Sequence, residues 1–156
     1  MVQQRKDDRE PRRFWVVVAD AASAVTYSQT ERRGELTREY EIENPYARTK
    51  SGELLSDRGG RSFDSYGSGR HTLAKEVSPK DSELARFANE VTRRLVHAQH
   101  GEHVVDTTFV AAPRLLGLLR KAAEPAGLHT ELRSINKDAS GREPAELLEL
   151  LNEHRQ

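Results

Sequence analysis

Apolar and polar positions alternate in blocks along the chain, and in the first third this pattern predicts strands. Residues 14–19 (FWVVVA) are a continuous apolar, β-branched run, typical of a strand that is covered on both faces. Residues 24–30 and 36–42 then alternate with a period of two, as hairpin strands with one buried face do. In the third strand, Leu36, Tyr40 and Ile42 form the expected inward set. The pattern therefore predicts a three-stranded meander that Asn44 and Pro45 end.

The later part of the chain mixes helical and strand periods. Apolar residues recur every three or four positions from Leu84 to Ala98, after a Ser78-Pro79 helix start and before Gly101. Further segments predict an internal strand, a helix closed by Pro125 and Gly127, an outer strand and a last helix, at residues 104–112, 113–124, 128–135 and 144–151. The order βββαβαβα predicts an α/β fold with a ribonuclease-H-like mixed five-stranded sheet and helices packed on it.

The segments without a period set the expected domain organisation. Residues 1–12 mix both charge signs and have nothing to bury, so we expect a flexible charged arm. Residues 13–156 are expected to form a single domain, since 156 residues are enough for one core. Within it, residues 44–78 predict a long loop, and a loop of this length inside a compact domain is usually functional or disordered.

Composition restricts the possible partners and the chemistry. Lys and Arg number 25 and so do Asp and Glu, so the net charge of zero indicates neither DNA nor an anionic membrane as a partner. The absence of cysteine excludes disulfides, thiolate zinc sites and a cysteine nucleophile. No segment has the roughly 18 apolar residues of a membrane span, and no secretory signal is visible. These features predict a cytoplasmic protein.

Three arrangements suggest chemistry, and each has a simpler interpretation. Asp20 ends the first strand, as in metal-dependent nucleases, but no acid stands at the end of the strand at 104–112, which favours a turn role. A metal site is conceivable at the three histidines near the end of the long helix, although helix polarity alone explains them. A hydrolase triad in the loop lacks a nucleophile elbow. We therefore expect no catalytic residue, no metal and no cofactor. The histidines of the possible metal site are His97, His100 and His103, and the residues of the possible triad are Ser62, Asp64 and His71.

The loop carries the clearest binding signal. Arg58, Gly59, Gly60, Arg61 and Ser62 place two flexible glycines between guanidinium groups that can grip a phosphate with two hydrogen bonds each. Further along the loop, Arg70 and His71 add anion-seeking side chains. The alternative is an ordinary turn whose arginines pair with the neighbouring acids Asp57 and Asp64.

Six blocks in order (WVVVADAASA, NPYAR, LLSDRGGRSFDS, GRHTL, SPKDSELARFA and FVAAPRLLGLLR) closely resemble the bacterial family called protein required for attachment to host cells. The resemblance runs from Trp15 to about Leu151. That family in turn looks like the middle domain of eukaryotic and archaeal class 1 release factors and of Pelota, whose Gly-Gly-Gln loop enters the ribosome. Arg58, Gly59, Gly60 and Ser62 fit that loop, whereas Arg61 replaces the glutamine.

The resemblance implies a first hypothesis, a non-enzymatic protein that binds ribosome or tRNA through phosphate contacts of the Arg-Gly-Gly-Arg loop. The alternative is an adhesion-linked host-attachment factor, which the family description implies. A third hypothesis is activity like that of a peptidyl-tRNA hydrolase, for which an arginine at position 61 lacks the carbonyl acceptor of glutamine. A homodimer is also compatible with the neutral charge.

Overall fold

The computed structural model describes residues 11–47 and 79–155. Its centre is a mixed five-stranded sheet with the spatial order β3-β2-β1-β4-β5. The antiparallel part is a meander, and β1 is paired on its other side with β4, which is parallel to both β1 and β5. The strands are β1 (Arg12–Ala19), β2 (Ser23–Gln29), β3 (Thr37–Glu43), β4 (His103–Ala111) and β5 (Glu131–Asn136). The predicted α/β fold and five-stranded arrangement are confirmed.

The helices lie on both faces of this sheet, which is why β1 and β4 are apolar on both sides. On one face, Trp15 and Val17 of β1 pack with Phe109 of β4 against α1 (Pro79–Gln99) and α2 (Pro113–Ala126). On the other face, Val16, Val18 and Val110 pack against α3 (Pro144–His154). Alternate residues of the same strands thus contribute to two separate cores.

The helix ends follow the local sequence. Pro113 occupies the first turn of α2, where its missing N–H costs nothing. Gly101, after α1, has φ +82°, a conformation that side chains with a Cβ rarely adopt. At the start of α3, Glu146 Oε1 accepts the Glu143 N–H at 3.2 Å. Pro125 lies inside the last turn of α2 and does not end it, whereas Gly127, with φ +96°, forms the cap.

The predicted start of the outer strand is wrong by three residues. Leu128 belongs to the cap of α2, because its N–H donates to Ala123 O at 3.1 Å and its side chain is buried with the α1 and α2 core. Strand β5 begins only at Glu131. A hydrophobic residue just after a glycine cap commonly packs back onto the helix. Because polar and apolar residues alternate after Leu128, the sequence pattern there resembles that of a strand.

The inward set predicted for the third strand is also divided between the two faces. Tyr40 and Ile42 lie in or against the core with α1 and α2, but Leu36 is buried in the core with α3. The cause is an irregularity in the pairing of β2 with β3: Thr26 faces Tyr40, yet the next residue, Tyr27, faces Arg38. One extra residue on β3 reverses the alternation before it.

Within the described ranges, no helix is long and apolar enough to cross a membrane.

Candidate functional site

The residues predicted to form the anion-binding loop lie outside the described residues. These are Arg58, Gly59, Gly60, Arg61, Ser62, Arg70 and His71. The three loop residues of the possible hydrolase triad, Ser62, Asp64 and His71, lie there as well.

The two described ends of that segment are anchored at one edge of the sheet. Asn44 is buried and ties the end of β3 to the β1–β2 turn, since its backbone N–H donates to Ala22 O at 2.8 Å and its side-chain amide to Ala21 O at 2.9 Å. On the return side, Asp81 in the first turn of α1 pairs at 2.8 Å with Arg114, in the first turn of the helix that follows β4. Both ends therefore lie where β1 and β4 terminate, the edge at which open α/β sheets usually bind ligands.

Asp20, at this same edge, has the turn role that the sequence favours. Its Oδ1 accepts the N–H groups of Ala22 at 2.8 Å and Ser23 at 2.9 Å, and these bonds close the β1–β2 turn. His97 lies in the last turn of α1 and His100 directly follows the helix, with their ring centroids 6.4 Å apart. Among the described residues, no three His, Cys, Asp or Glu side chains are placed to hold a metal ion.

A groove of about 440 Å³ opens beside Asp20, on the face that carries α3. Val18, Val25 and Tyr27 contribute to its apolar lining, together with Leu147 of α3. Polar groups also line it, among them the ion pair between Arg38 and Glu41 at 2.8 Å, and Arg142. Its volume is in the range of small-molecule sites. Its lining is more polar than apolar, however, which is the reverse of the usual composition of such sites.

A second polar site lies on the same face, towards the opposite end of the sheet. Asp106 of β4 is fully buried, yet its Oδ2 pairs with Arg32 Nη1 at 2.6 Å and with Arg133 Nε at 3.1 Å. The two arginine side chains are 39% and 42% exposed, so they extend from the buried carboxylate to the surface. Arg133 also contacts Glu131 at 2.8 Å, and Arg32 lies over the Phe14 ring. A buried carboxylate requires such partners, because burying an unpaired charge is very costly.

Arg155, which follows α3, completes this arginine cluster. One of its nitrogens, Nη1, donates to Gln29 Oε1 at 3.0 Å and to the carbonyl oxygen of Arg32. The buried Gln29 in turn donates to Gly34 O at 2.6 Å, so the end of α3 is connected to the β2–β3 turn. Burial lowers the pKa of Arg155, the nearby Asp106 opposes that shift, and the positive charges of Arg32 and Arg133 add to it.

Sequence reasoning missed the arginine cluster. One signal was present, since Asp106 is the lone acid in an otherwise nearly apolar internal strand (VVDTTFVAA) and must find cationic partners if that strand is buried. Its two ion-pair partners come from a turn and an edge strand, and the third arginine of the cluster comes from the end of a helix. Only the fold brings them together.

The fold and these two sites define a mixed α/β protein with polar clusters towards both ends of its central sheet. A family model described as "Protein required for attachment to host cells" matches residues 15–151, and the chain belongs to that family. The match extends from β1 into the last turn of α3. A comparison with curated proteins finds no match.

This family match overturns the first functional hypothesis. The interpretation as a ribosome- or tRNA-associated protein rested on a further likeness to release factors, but the description of the matching family names attachment to host cells. The alternative drawn from the sequence, a host-attachment factor, agrees better with this finding. The ribosome, RNA-binding and release-factor-like functions are accordingly withdrawn.

Proposed function

We propose that the protein acts in the attachment of the cell that produces it to host cells. The observation that carries this proposal is the extent of the family match, which includes the central strands, both cores and almost all of α3. A match over one motif would support only a shared loop, whereas a match over the whole fold supports a shared role.

The test is deletion of the gene followed by a count of bacteria bound per host cell. We expect fewer bound cells in the deletion strain and recovery when the wild-type gene is returned. An Arg93→Gln variant is a suitable control, because Arg93 is an exposed residue of α1 whose carboxylate partner is Glu90 on the same helix. Equal binding by deletion and wild-type strains, at equal growth rates, would contradict the proposal.

The location of the protein determines how it acts in attachment. The sequence predicts a cytoplasmic protein, and on that basis we propose that it acts on attachment from inside the cell. Protease added to intact cells tests this point, with lysed cells as the positive control. Protection in intact cells supports the internal location, and digestion at the rate seen in lysates contradicts it.

We further propose that Arg58, Gly59, Gly60 and Arg61, which the sequence predicts to lie in a loop, contact an anionic group during this role. The support is the sequence, in which two glycines, the residue type that permits the most backbone conformations, stand between two arginines. An Arg58→Ala/Arg61→Ala double variant should fail to restore attachment, although its thermal stability should equal that of the wild type. An Arg93→Ala variant removes an exposed arginine of α1 and should restore attachment fully. Full restoration by the double variant would contradict this part of the proposal.

Two further expectations concern fold and assembly. We propose that the likeness to the release-factor middle domain holds at the level of fold only. Its support is the strand order around β1, together with the place of the Arg-Gly-Gly-Arg sequence between β3 and α1 along the chain. We also propose that the chain forms a homodimer, which its neutral net charge permits. Light scattering during size-exclusion chromatography tests this, and a monomer mass at all concentrations contradicts it.

A further inference from the structure

The arginine cluster contains more cationic groups than its single buried carboxylate can satisfy. Arg32 and Arg133 both use Oδ2 of Asp106. Arg155 feels the attraction of the same carboxylate and the repulsion of Arg32, Arg133 and Arg33. Guanidinium groups held close together and partly out of water repel one another unless an anion lies between them.

Arg155 also has an unused binding edge. Its Nη1 is occupied, but its Nε and Nη2 are shielded from solvent and have no hydrogen-bond partner in the described part of the chain. These two nitrogens form one side of the planar guanidinium and donate in parallel, which is the geometry that binds an oxyanion with two hydrogen bonds. Buried donors without partners are rare in native proteins and indicate a missing ligand or water.

The unpaired acceptor of Asp106 selects among the possible oxyanions. Within the described ranges, Oδ1 of Asp106 is buried and accepts no hydrogen bond. A fully deprotonated anion such as sulfate has no proton to donate, so its oxygen and the carboxylate oxygen would repel each other. Inorganic phosphate near neutral pH still carries a proton, because its second pKa lies in that region, and can donate it to a carboxylate.

We propose that the arginine cluster is a binding site for protonated inorganic phosphate. The phosphate oxygens accept hydrogen bonds from Nε and Nη2 of Arg155 and from the outer guanidinium groups of Arg32 and Arg133. Its O–H donates to Oδ1 of Asp106. About two fifths of the Arg32 and Arg133 side chains are in solvent, so their rotation opens a route to the inner edge of Arg155. The site lies away from the carboxyl ends of the strands, and this proposal does not depend on the attachment role.

The test compares phosphate with sulfate in thermal unfolding of the full chain at pH 7, with chloride at matched ionic strength as the baseline. Both anions stabilise proteins in general by exclusion from the surface, so sulfate measures the unspecific part. We expect phosphate to raise the Tm saturably, by about 3 °C more than sulfate at ten times the half-saturating concentration. Equal shifts for both anions would overturn the proposal.

Variants show whether the phosphate-specific shift arises at this cluster. Arg155→Gln should abolish the phosphate-specific shift. Arg133→Gln, which leaves Asp106 paired with Arg32, should reduce the shift, and it provides a second test in case Arg155→Gln does not fold. Arg93→Gln on α1 should retain it in full. Asp106→Asn offers an amide donor at the same place and should reduce the preference for phosphate over sulfate. A phosphate-specific shift that persists unchanged in both Arg155→Gln and Arg133→Gln would place the binding elsewhere and overturn the proposal.

Discussion

Asp106 and Arg32 are 2.6 Å apart at their closest charged atoms, although one lies in the middle of the sheet and the other in the turn between β2 and β3. The carboxylate is fully buried, whereas the guanidinium extends to the surface over the Phe14 ring. This pair therefore connects the β2–β3 turn to a strand with which neither β2 nor β3 is paired.

Removal of the Asp106 carboxylate should strongly lower the stability of the folded protein. Asp106→Ala leaves Arg32 and Arg133 without their shared partner, and breaking a buried ion pair on one side typically costs 3–5 kcal/mol. We expect a loss of about 3 kcal/mol in the free energy of unfolding, at the lower end of this range, because both arginines remain partly in water. Urea unfolding at pH 7 measures the change.

Glu41→Gln is the matched control, because it removes the carboxylate of the exposed Arg38 pair. Exposed pairs contribute little, so the expected loss is below about 1 kcal/mol. A similar loss in both variants would show that burial of Asp106 is not what makes it important.

The face of α3 that packs on the sheet can be tested by truncation. Leu151 is fully buried in the core with Val16 and Val110, so Leu151→Ala should cost about 2–5 kcal/mol through lost burial and the cavity that remains. Glu149→Ala, at an exposed position of the same helix, should change stability by less than about 0.5 kcal/mol. Urea midpoints of the two variants give the comparison, and equal values would contradict the orientation of α3.

Two glycines at the same helix should respond in opposite directions to alanine. Gly127 caps α2 with φ +96° and Gly117 lies exposed inside it, and a Cβ at either position meets no atom within 4 Å. Steric space therefore does not distinguish the two positions; backbone conformation does. Gly127→Ala should destabilise by about 1–2 kcal/mol through the left-handed backbone, and Gly117→Ala should stabilise by up to about 1 kcal/mol through helix propensity. Thermal unfolding measures both, and a gain at Gly127 would contradict the cap.

The loop before α3 should show a stability component that depends on pH. Asp138 accepts the Ser140 hydroxyl at 2.7 Å and its N–H at 3.2 Å, and these bonds lower the pKa of the carboxyl. Because the folded pKa is lowered, this stabilisation is present above the ordinary pKa of about 3.9 and is lost as the pH falls through the lowered value. The advantage of wild type over Asp138→Asn should therefore shrink between pH 5 and about pH 2. Ser140→Ala should remove part of the same dependence; an advantage independent of pH would contradict it.

The sequence was sufficient to predict the element order, because its signals are local. The apolar run at β1, the three- and four-residue spacing of α1 and the proline and glycine at the ends of α2 each reflect the chemistry of neighbouring residues. Two predictions failed because they depend on more than neighbouring residues: Leu128 was assigned to a strand, and Leu36 was assigned to the same face as Tyr40 and Ile42. A helix cap and an extra residue in β3 change where a side chain points without changing the apolar pattern.

The candidate sites were less predictable. The turn role of Asp20 follows from its immediate neighbours, and the structure confirms it. The arginine cluster is formed by Arg32, Asp106, Arg133 and Arg155, which lie in separate elements, and charged residues make up 32% of the chain. With so many charged residues, no local pattern identifies the few that are close in space.

The hydrogen bond between Arg155 and Gln29 joins residues 126 positions apart in the chain. Gln29 is paired with Phe14, so the last helix ends beside the start of the first strand. A short linker between these ends, with a new opening in the exposed turn at Gly101 and Glu102, would give a circular permutant that retains all four pairs of neighbouring strands. Such a chain would begin with β4 and pair it with β5 before β1 is made, so the same sheet would form in a different order during synthesis.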